Sequence, residues 1–265
     1  MSETRASQPD AWNPGQYERF RDERSQPFFD LLALVQPVPA PRVIDLGCGT
    51  GELTRELHRR LDAAQTLGVD NSPAMLAKSS AFVGAGLSFE LAEIADLVDR
   101  TDRQFDVVFS NAALQWVPKH AELFAGLARL VVPGGQLAVQ VPANDDHPSH
   151  VVARELAAES PFREALGGYQ RPIDRLEPEA YATLLDQLGF AKQHVRLQVY
   201  PHHLTARDEV VEWVRGTLLT DYQKRLPAKV FAEFQSRYRE LLLPRLAPTR
   251  PYFYPFKRIL LWARR

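Results

Sequence analysis

Val43-Ile-Asp-Leu-Gly-Cys-Gly-Thr-Gly51 is the stretch whose reading decides the fold. Arg42-Val-Ile-Asp-Leu reads as a buried strand, and the residues from Gly51 to Leu61 read as a helix. Gly47, Gly49 and Gly51 lie in the turn between them, where residues without a Cβ let the backbone bend sharply and approach a ligand at a helix N-terminus. Such a turn can also be purely structural, so the surrounding charges must decide its meaning. A dinucleotide site needs G-x-G-x-x-G, but this turn is G-x-G-x-G and position 52 is Glu. Asp45 stands two residues before the first glycine, where a carboxylate repels pyrophosphate and attracts an ammonium group. The expected ligand is cationic and free of phosphate.

Working outward, short apolar runs alternate with helical stretches. Thr66–Asp70 reads as a strand, Ser72-Pro73 as a helix opening and Leu87–Leu91 as a third strand. Phe105–Phe109 reads as a strand, His120–Leu130 as a helix, and Gln136–Val141 as a strand following the turn signal Pro133-Gly134-Gly135. The segment Asp145–Arg175 then mixes helix with the flexible pair Gly167-Gly168. Next come a helix over Glu179–Leu188 stopped by Gly189, a strand over Val195–Tyr200, a helical block over Ala206–Leu243, and a last strand over Phe256–Ala263. The alternation predicts an α/β fold with a mostly parallel sheet. Asp70, at the end of the second strand, suits a ribose diol. Glu93, after the third strand, suits an amino group such as adenine's. Acidic residues after three successive strands fall at the carboxyl edge, where open sheets bind ligands.

Composition narrows the function classes. The chain has 265 residues, 45% hydrophobic and 25% charged, which excludes disordered and fibrous proteins. Thirty-two basic residues against thirty-three acidic ones leave no global field for nucleic acid or an anionic membrane. The single cysteine, Cys48, has no intramolecular disulfide partner and no metal-ligand cluster beside it. With a polar N-terminus and no long apolar run, a cytoplasmic protein without metal is expected, either a monomer or a weak homo-oligomer.

Asp45-Leu-Gly-Cys-Gly-Thr-Gly51, Asp70, Glu93 and Phe105-Asp-Val-Val-Phe-Ser-Asn111 together resemble the core of class I S-adenosylmethionine-dependent methyltransferases. The resemblance implies a Rossmann-like sheet of seven strands with the last antiparallel, and a helical cap. It implies that the glycine loop passes under the methionyl part and that Asp70 holds the ribose, with neighbouring Asn71 in the same site. It further implies that Glu93 and the backbone of Ile94 read adenine, that Met75 packs on the adenosine, and that the backbone near Asn111 meets the ammonium group. Trp12-Asn-Pro-Gly-Gln-Tyr17, Glu23-Arg-Ser25, Asn111-Ala-Ala-Leu-Gln-Trp116, Pro148-Ser-His150 and Pro255-Phe-Lys-Arg258 extend the resemblance to the branch that methylates trans-aconitate. This branch implies that Tyr17 and Arg24 fold over the cofactor. The implied organisation is an N-terminal helical cover over 1–41, a core of 42–200 and 255–265, and insertions of 143–175 and 201–254 over the acceptor pocket.

Methyl transfer from a sulfonium is an in-line displacement with a neutral leaving group, so alignment and exclusion of water matter most. A carboxylate acceptor is already ionised and needs no general base. A polyacid does need cations, and residues 241–265 carry Arg245, Arg250, Lys257, Arg258, Arg264 and Arg265 without any Asp or Glu. Candidate acceptor-binding residues are Trp116, His147, Tyr169, His202, Arg250, Tyr254 and Arg258, with His150 also after the fifth strand. Basic C-termini are often solvated tails, and Trp213 reads better as core packing. If the acceptor were a hydroxyl or amine, His202 or His203 would serve as base. An O- or N-methyltransferase of that kind, or a non-catalytic S-adenosylmethionine-binding module, stays open beside the carboxyl methyltransferase.

Overall fold

A computed structural model describes residues 21–265, with side chains from Ser25 onward. Its sheet has seven strands: β1 (Arg42–Leu46), β2 (Gln65–Asp70), β3 (Leu87–Leu91), β4 (Phe105–Asn111), β5 (Val131–Pro142), β6 (Lys192–Leu204) and β7 (Tyr252–Arg264), in the order β3-β2-β1-β4-β5-β7-β6. The pairs among β1 to β5 are parallel, and β7 runs antiparallel to β5, with Val139 opposite Leu261.

Side chains alternate across this sheet and fill two apolar layers. Ile44, Leu46, Val69, Val108 and Val139 face one layer with α4 (Ile94–Arg100), α5 (His120–Leu130) and α8 (Pro178–Gln187). Val43, Val107, Phe109 and Ala138 face the other with α1 (Arg21–Leu32) and α2 (Glu52–Arg60), where Phe28 meets Phe109 edge-on. After β2, Ser72 caps α3 (Pro73–Ser79): its hydroxyl accepts from the Met75 N–H at 3.2 Å, and Pro73 fills the first turn. A cap of this kind contributes about 1 kcal/mol, and here it also sets where Met75 stands.

The chain forms two compact units. Among the described residues, the sheet unit comprises 21–143, 174–200 and 255–265. Among the described residues, the helical unit comprises 144–173 and 201–254. It contains α6 (Pro148–Ala158), α7 (Phe162–Ala165), α9 (Glu209–Arg215), α10 (Leu218–Arg225) and α11 (Ala228–Leu242). Its interior is aromatic, with Tyr222 stacked on Phe234 and Phe162 edge-on to Phe234.

Several sequence boundaries need correction. β6 and β7 run through Pro201 and Pro255, which the sequence reads as strand ends. Pro201 lies on an edge strand, and Pro255 lies beyond the last β5–β7 pair, Pro142 with Arg258, so neither interrupts the β5–β7 ladder. His202 and His203 therefore stand in a strand rather than after it. β5 begins at Val131: Val131 pairs with Phe105, the chain bulges through Gly134, and Gln136 pairs with Val107. The block expected over Ala206–Leu243 is three helices, interrupted at Gly216 and Pro227.

Candidate functional site

The carboxyl ends of β1 to β4 carry the glycine turn and its acidic neighbours. Gly47, Gly49 and Gly51 all have positive φ, of 81°, 56° and 79°. A Cβ at Gly47 would stand 2.1 Å from that of Ala113, so the turn lies flush against the loop after β4. At Gly49 a Cβ would meet only the Met75 methyl, at 3.6 Å, leaving that backbone open to close approach.

Asp70 anchors the turn. One of its oxygens accepts from the Gly49 N–H at 2.8 Å and the other from the Ser72 N–H at 2.9 Å. Next to it the Asn71 amide donates to both Glu93 oxygens at 3.1 Å, joining the ends of β2 and β3. Asp45 is buried on β1, where the Thr54 hydroxyl donates to it at 2.6 Å. Burial raises its pKa to about 7, helped by the charge of Asp70 and opposed by the Thr54 bond. Burial likewise pushes the Cys48 thiol up, together with the charges of Asp45 and Asp70, so it stays protonated.

The loop after β4 completes this edge. Asn111 Oδ1 and Gln115 Oε1 are buried acceptors with no hydrogen-bond partner among the described residues, which an N–H or ammonium donor would satisfy. His120 braces the loop: its Nε2–H donates to the Leu114 carbonyl at 2.9 Å, so Nδ1 accepts from the Tyr181 hydroxyl at 2.5 Å. Burial lowers the His120 pKa and keeps this tautomer neutral.

The structure thus brings Asp45, Gly47, Gly49, Gly51, Asp70, Asn71, Met75, Glu93, Ile94 and Asn111 to one edge of the sheet. Tyr17 and the side chain of Arg24 lie outside the described residues. Buried negative charge, an unsatisfied acceptor and an open glycine backbone suit S-adenosylmethionine, whose ammonium and ribose hydroxyls are donors.

The acceptor candidates divide. Trp116 follows β4 in the sheet unit. Arg258, also there, is buried: its Nη1 donates to Gln140 at 3.3 Å, and its guanidinium lies 4.8 Å from the Phe256 ring centroid and 5.8 Å from that of Tyr200. In the helical unit His147, His202 and Tyr254 share an aromatic cluster with Trp213, which packs 5.6 Å from Tyr254 and 4.9 Å from His202. Tyr169 stands apart, donating to Asp221 at 2.8 Å beneath the Arg225 guanidinium. Arg250 and His203 are exposed. Sequence reasoning missed Thr54, the partner of Asp45, since no motif spacing marks it.

A family model described as a methyltransferase domain matches residues 43–135, the segment built above. A protein of Deinococcus radiodurans named trans-aconitate 2-methyltransferase is 44% identical over 96% of this chain and 98% of its own. A Methylobacterium nodulans protein of the same name is 41% identical over 96% and 98%. The chain belongs to the trans-aconitate 2-methyltransferase family. Members align nearly end to end, so the likeness includes the helical unit as well as the glycine turn. Among solved structures, the YcgJ protein of Bacillus subtilis superposes with a TM-score of 0.60 at 14% identity, covering 91% of this chain and 98% of that one. A phosphoethanolamine N-methyltransferase of Haemonchus contortus, solved with S-adenosylhomocysteine, gives 0.56 at 17% identity, covering 99% and 61%. These two show the fold. Among the described residues no helix is long and apolar enough to cross a membrane, and no His, Cys, Asp and Glu cluster is arranged to hold a metal ion.

Proposed function

We propose that the protein transfers the methyl group of S-adenosylmethionine to a carboxylate of a small polycarboxylic acid, with trans-aconitate as the acceptor. The observation that carries this reading is the nearly full-length likeness, 38% to 44% identity, to relatives named for that reaction. The donor side is supported by the sheet edge: Asp70 takes the ribose, Glu93 with the Ile94 backbone takes adenine, and Met75 lies along the adenosine. Asp45 and Asn111 supply negative potential and an acceptor for the ammonium group. When bound, S-adenosylmethionine supplies a sulfonium methyl; a carboxylate oxygen bonds to that carbon while the carbon–sulfur pair returns to sulfur, leaving the thioether and a methyl ester. The chain's task is to position and desolvate both partners.

The chemistry requires neither a general base nor a metal, and it suits an enzyme of the cytoplasm acting on small acids. Trp116, His147, His202, Tyr254 and Arg258 remain the proposed contributors to acceptor recognition, with Tyr169 and the exposed Arg250 less directly involved. A panel of di- and tricarboxylates incubated with methyl-labelled S-adenosylmethionine tests the reading. Label is expected in a base-labile ester of trans-aconitate, and S-adenosylhomocysteine is expected to raise the melting temperature. Label on a phenol or amine, with none on any polyacid, would overturn it.

A further inference from the structure

One face of the sheet ends in a row of polar side chains that the donor does not fully account for. On that face Val107 and Phe109 of β4, Ala138 of β5, and Leu260 and Trp262 of β7 share an apolar layer. One step farther toward the carboxyl ends of β4 and β5, the alternation of side chains places Asn111, Gln140 and Arg258 on the same face. Asn111 and Gln140 are register partners across the β4–β5 pair, and Arg258 is opposite Pro142, the next residue on that face of β5. Gln140 is fully buried, whereas Asn111 and Pro142 are half-buried, so Gln140 lies just inside the carboxyl edge.

The orientation of the Gln140 amide is fixed. Its Oε1 accepts from Arg258 Nη1 at 3.3 Å, and because a guanidinium only donates, the amide nitrogen is turned away from Arg258. That nitrogen is buried and has no hydrogen-bond partner among the described residues. Asn111 Oδ1, on the neighbouring strand, is an unmet acceptor, and the two groups do not bond each other. A buried N–H without an acceptor costs folding free energy, so its retention marks a place where an incoming group supplies the oxygen. Asp30, which acts with Arg258 on Tyr200, is taken up by the Tyr200 hydroxyl at 2.8 Å and by Gln198 at 3.0 Å. In sheet order β2, β1, β4, β5 and β7 carry Asp70, Asp45, Asn111, Gln140 and Arg258. The first three are the proposed donor contacts, so Gln140 and Arg258 lie beyond the methionyl end of the donor, on the side away from its adenine.

We propose that Gln140 binds the acceptor: its Nε2–H donates to one oxygen of the carboxylate that receives the methyl group, leaving the other oxygen to attack. This role rests on the polyacid reading above and adds a residue that reading did not name. The attacking oxygen bonds to the methyl carbon as the carbon–sulfur pair returns to sulfur, and the Gln140 proton stays on nitrogen throughout. A neutral amide suits the position, because carboxylate and sulfonium charges cancel as the reaction proceeds. A cation touching the reacting oxygens would stabilise the charged ground state more than the transition state. Arg258 acts through the amide instead: by donating to its oxygen it polarises the N–H and makes it the stronger donor.

The test uses the full chain with Gln140→Glu and Gln140→Met. Gln140→Glu keeps an oxygen for Arg258 but replaces the N–H donor with a second acceptor, and Gln140→Met keeps the volume while removing both groups. In each variant kcat/KM for trans-aconitate should fall about ten- to a hundredfold, while affinity for S-adenosylhomocysteine stays within about threefold. Calorimetric titration of trans-aconitate into the S-adenosylhomocysteine complex should show weakened binding without turnover, and Gln140→Glu should keep the parent's melting temperature within a few degrees. If the parent methylates trans-aconitate and both variants do so equally well, the role given to Gln140 is wrong while the activity stands. Equal losses of affinity for trans-aconitate and S-adenosylhomocysteine would place Gln140 on the donor side and overturn it too. If the parent neither binds nor methylates any polyacid, the activity itself falls and the role of Gln140 with it. Should Gln140→Glu fail to fold, Gln140→Met decides the outcome on the same measurements.

Discussion

In the proposed donor site, Asp45 would tie the protein's charge state to its donor. In the unfolded chain its carboxyl loses a proton near pH 4, and in the fold near pH 7. A raised pKa means that its contribution to stability is fully present below the unfolded value and is lost as pH rises through about 7. Asp45→Asn imitates the protonated form and keeps an oxygen for Thr54, so it should raise the melting temperature by several degrees near pH 8, by less near pH 5, and little at or below the unfolded value near pH 4. A cationic ligand reverses the preference by favouring the carboxylate. Donor binding should therefore release a proton near pH 6.5, visible as a dependence of the calorimetric heat on the buffer's ionisation enthalpy. Affinity should weaken by up to tenfold per unit as pH falls below about 7, and Asp45→Asn should abolish that slope. Proton uptake on binding would contradict the assignment of Asp45 to the donor site.

At the scale of the element, the strand–turn–helix formed by β1, the glycine turn and α2 separates structural from functional glycines. Gly47→Ala meets two obstacles, a φ of 81° and a Cβ 2.1 Å from that of Ala113. The backbone term alone costs about 1–2 kcal/mol, and the contact can be relieved only by displacing the loop after β4. Denaturant melts should show a loss of about 2 kcal/mol or more. Gly49→Ala has the backbone obstacle but only an ordinary contact at 3.6 Å, so it should fold with about 1–2 kcal/mol lost. Its added methyl would lie in the proposed path of the donor, and donor affinity should drop far more than stability. The turn, the strands before it and the helix after it were legible because glycine positions and apolar runs are local signals. Local signals misled where Pro201 and Pro255 looked like strand ends, since a proline's cost depends on which side of the strand has a neighbour.

Over the whole molecule, buried groups of opposite kind shape the response to pH. Burial lowers the pKa of His150 to about 3 and also lowers that of His120. As pH falls below about 6.5, the unfolded chain binds protons that these neutral histidines refuse, so stability falls with pH, opposite in sign to Asp45 over the same interval. Asp45→Asn should then expose the histidine slope, with melting temperature rising from about pH 4.5 to 6.5, and adding His150→Gln should make it shallower while His120 keeps the remainder. An unchanged slope in the double variant would show that His150 is not desolvated in solution. The sequence by itself determined the mostly parallel seven-stranded sheet and the glycine turn with acidic residues at the strand ends, because hydrophobic period and glycine spacing act over short distances. Only the tertiary structure decided that the Asp45 carboxyl titrates near neutrality, that Arg258 sits buried in the sheet unit while Arg250 is exposed, and that Tyr222 stacks on Phe234 in the interior of the helical unit. Those outcomes depend on desolvation and on charges brought together from distant positions, which no spacing along the chain encodes.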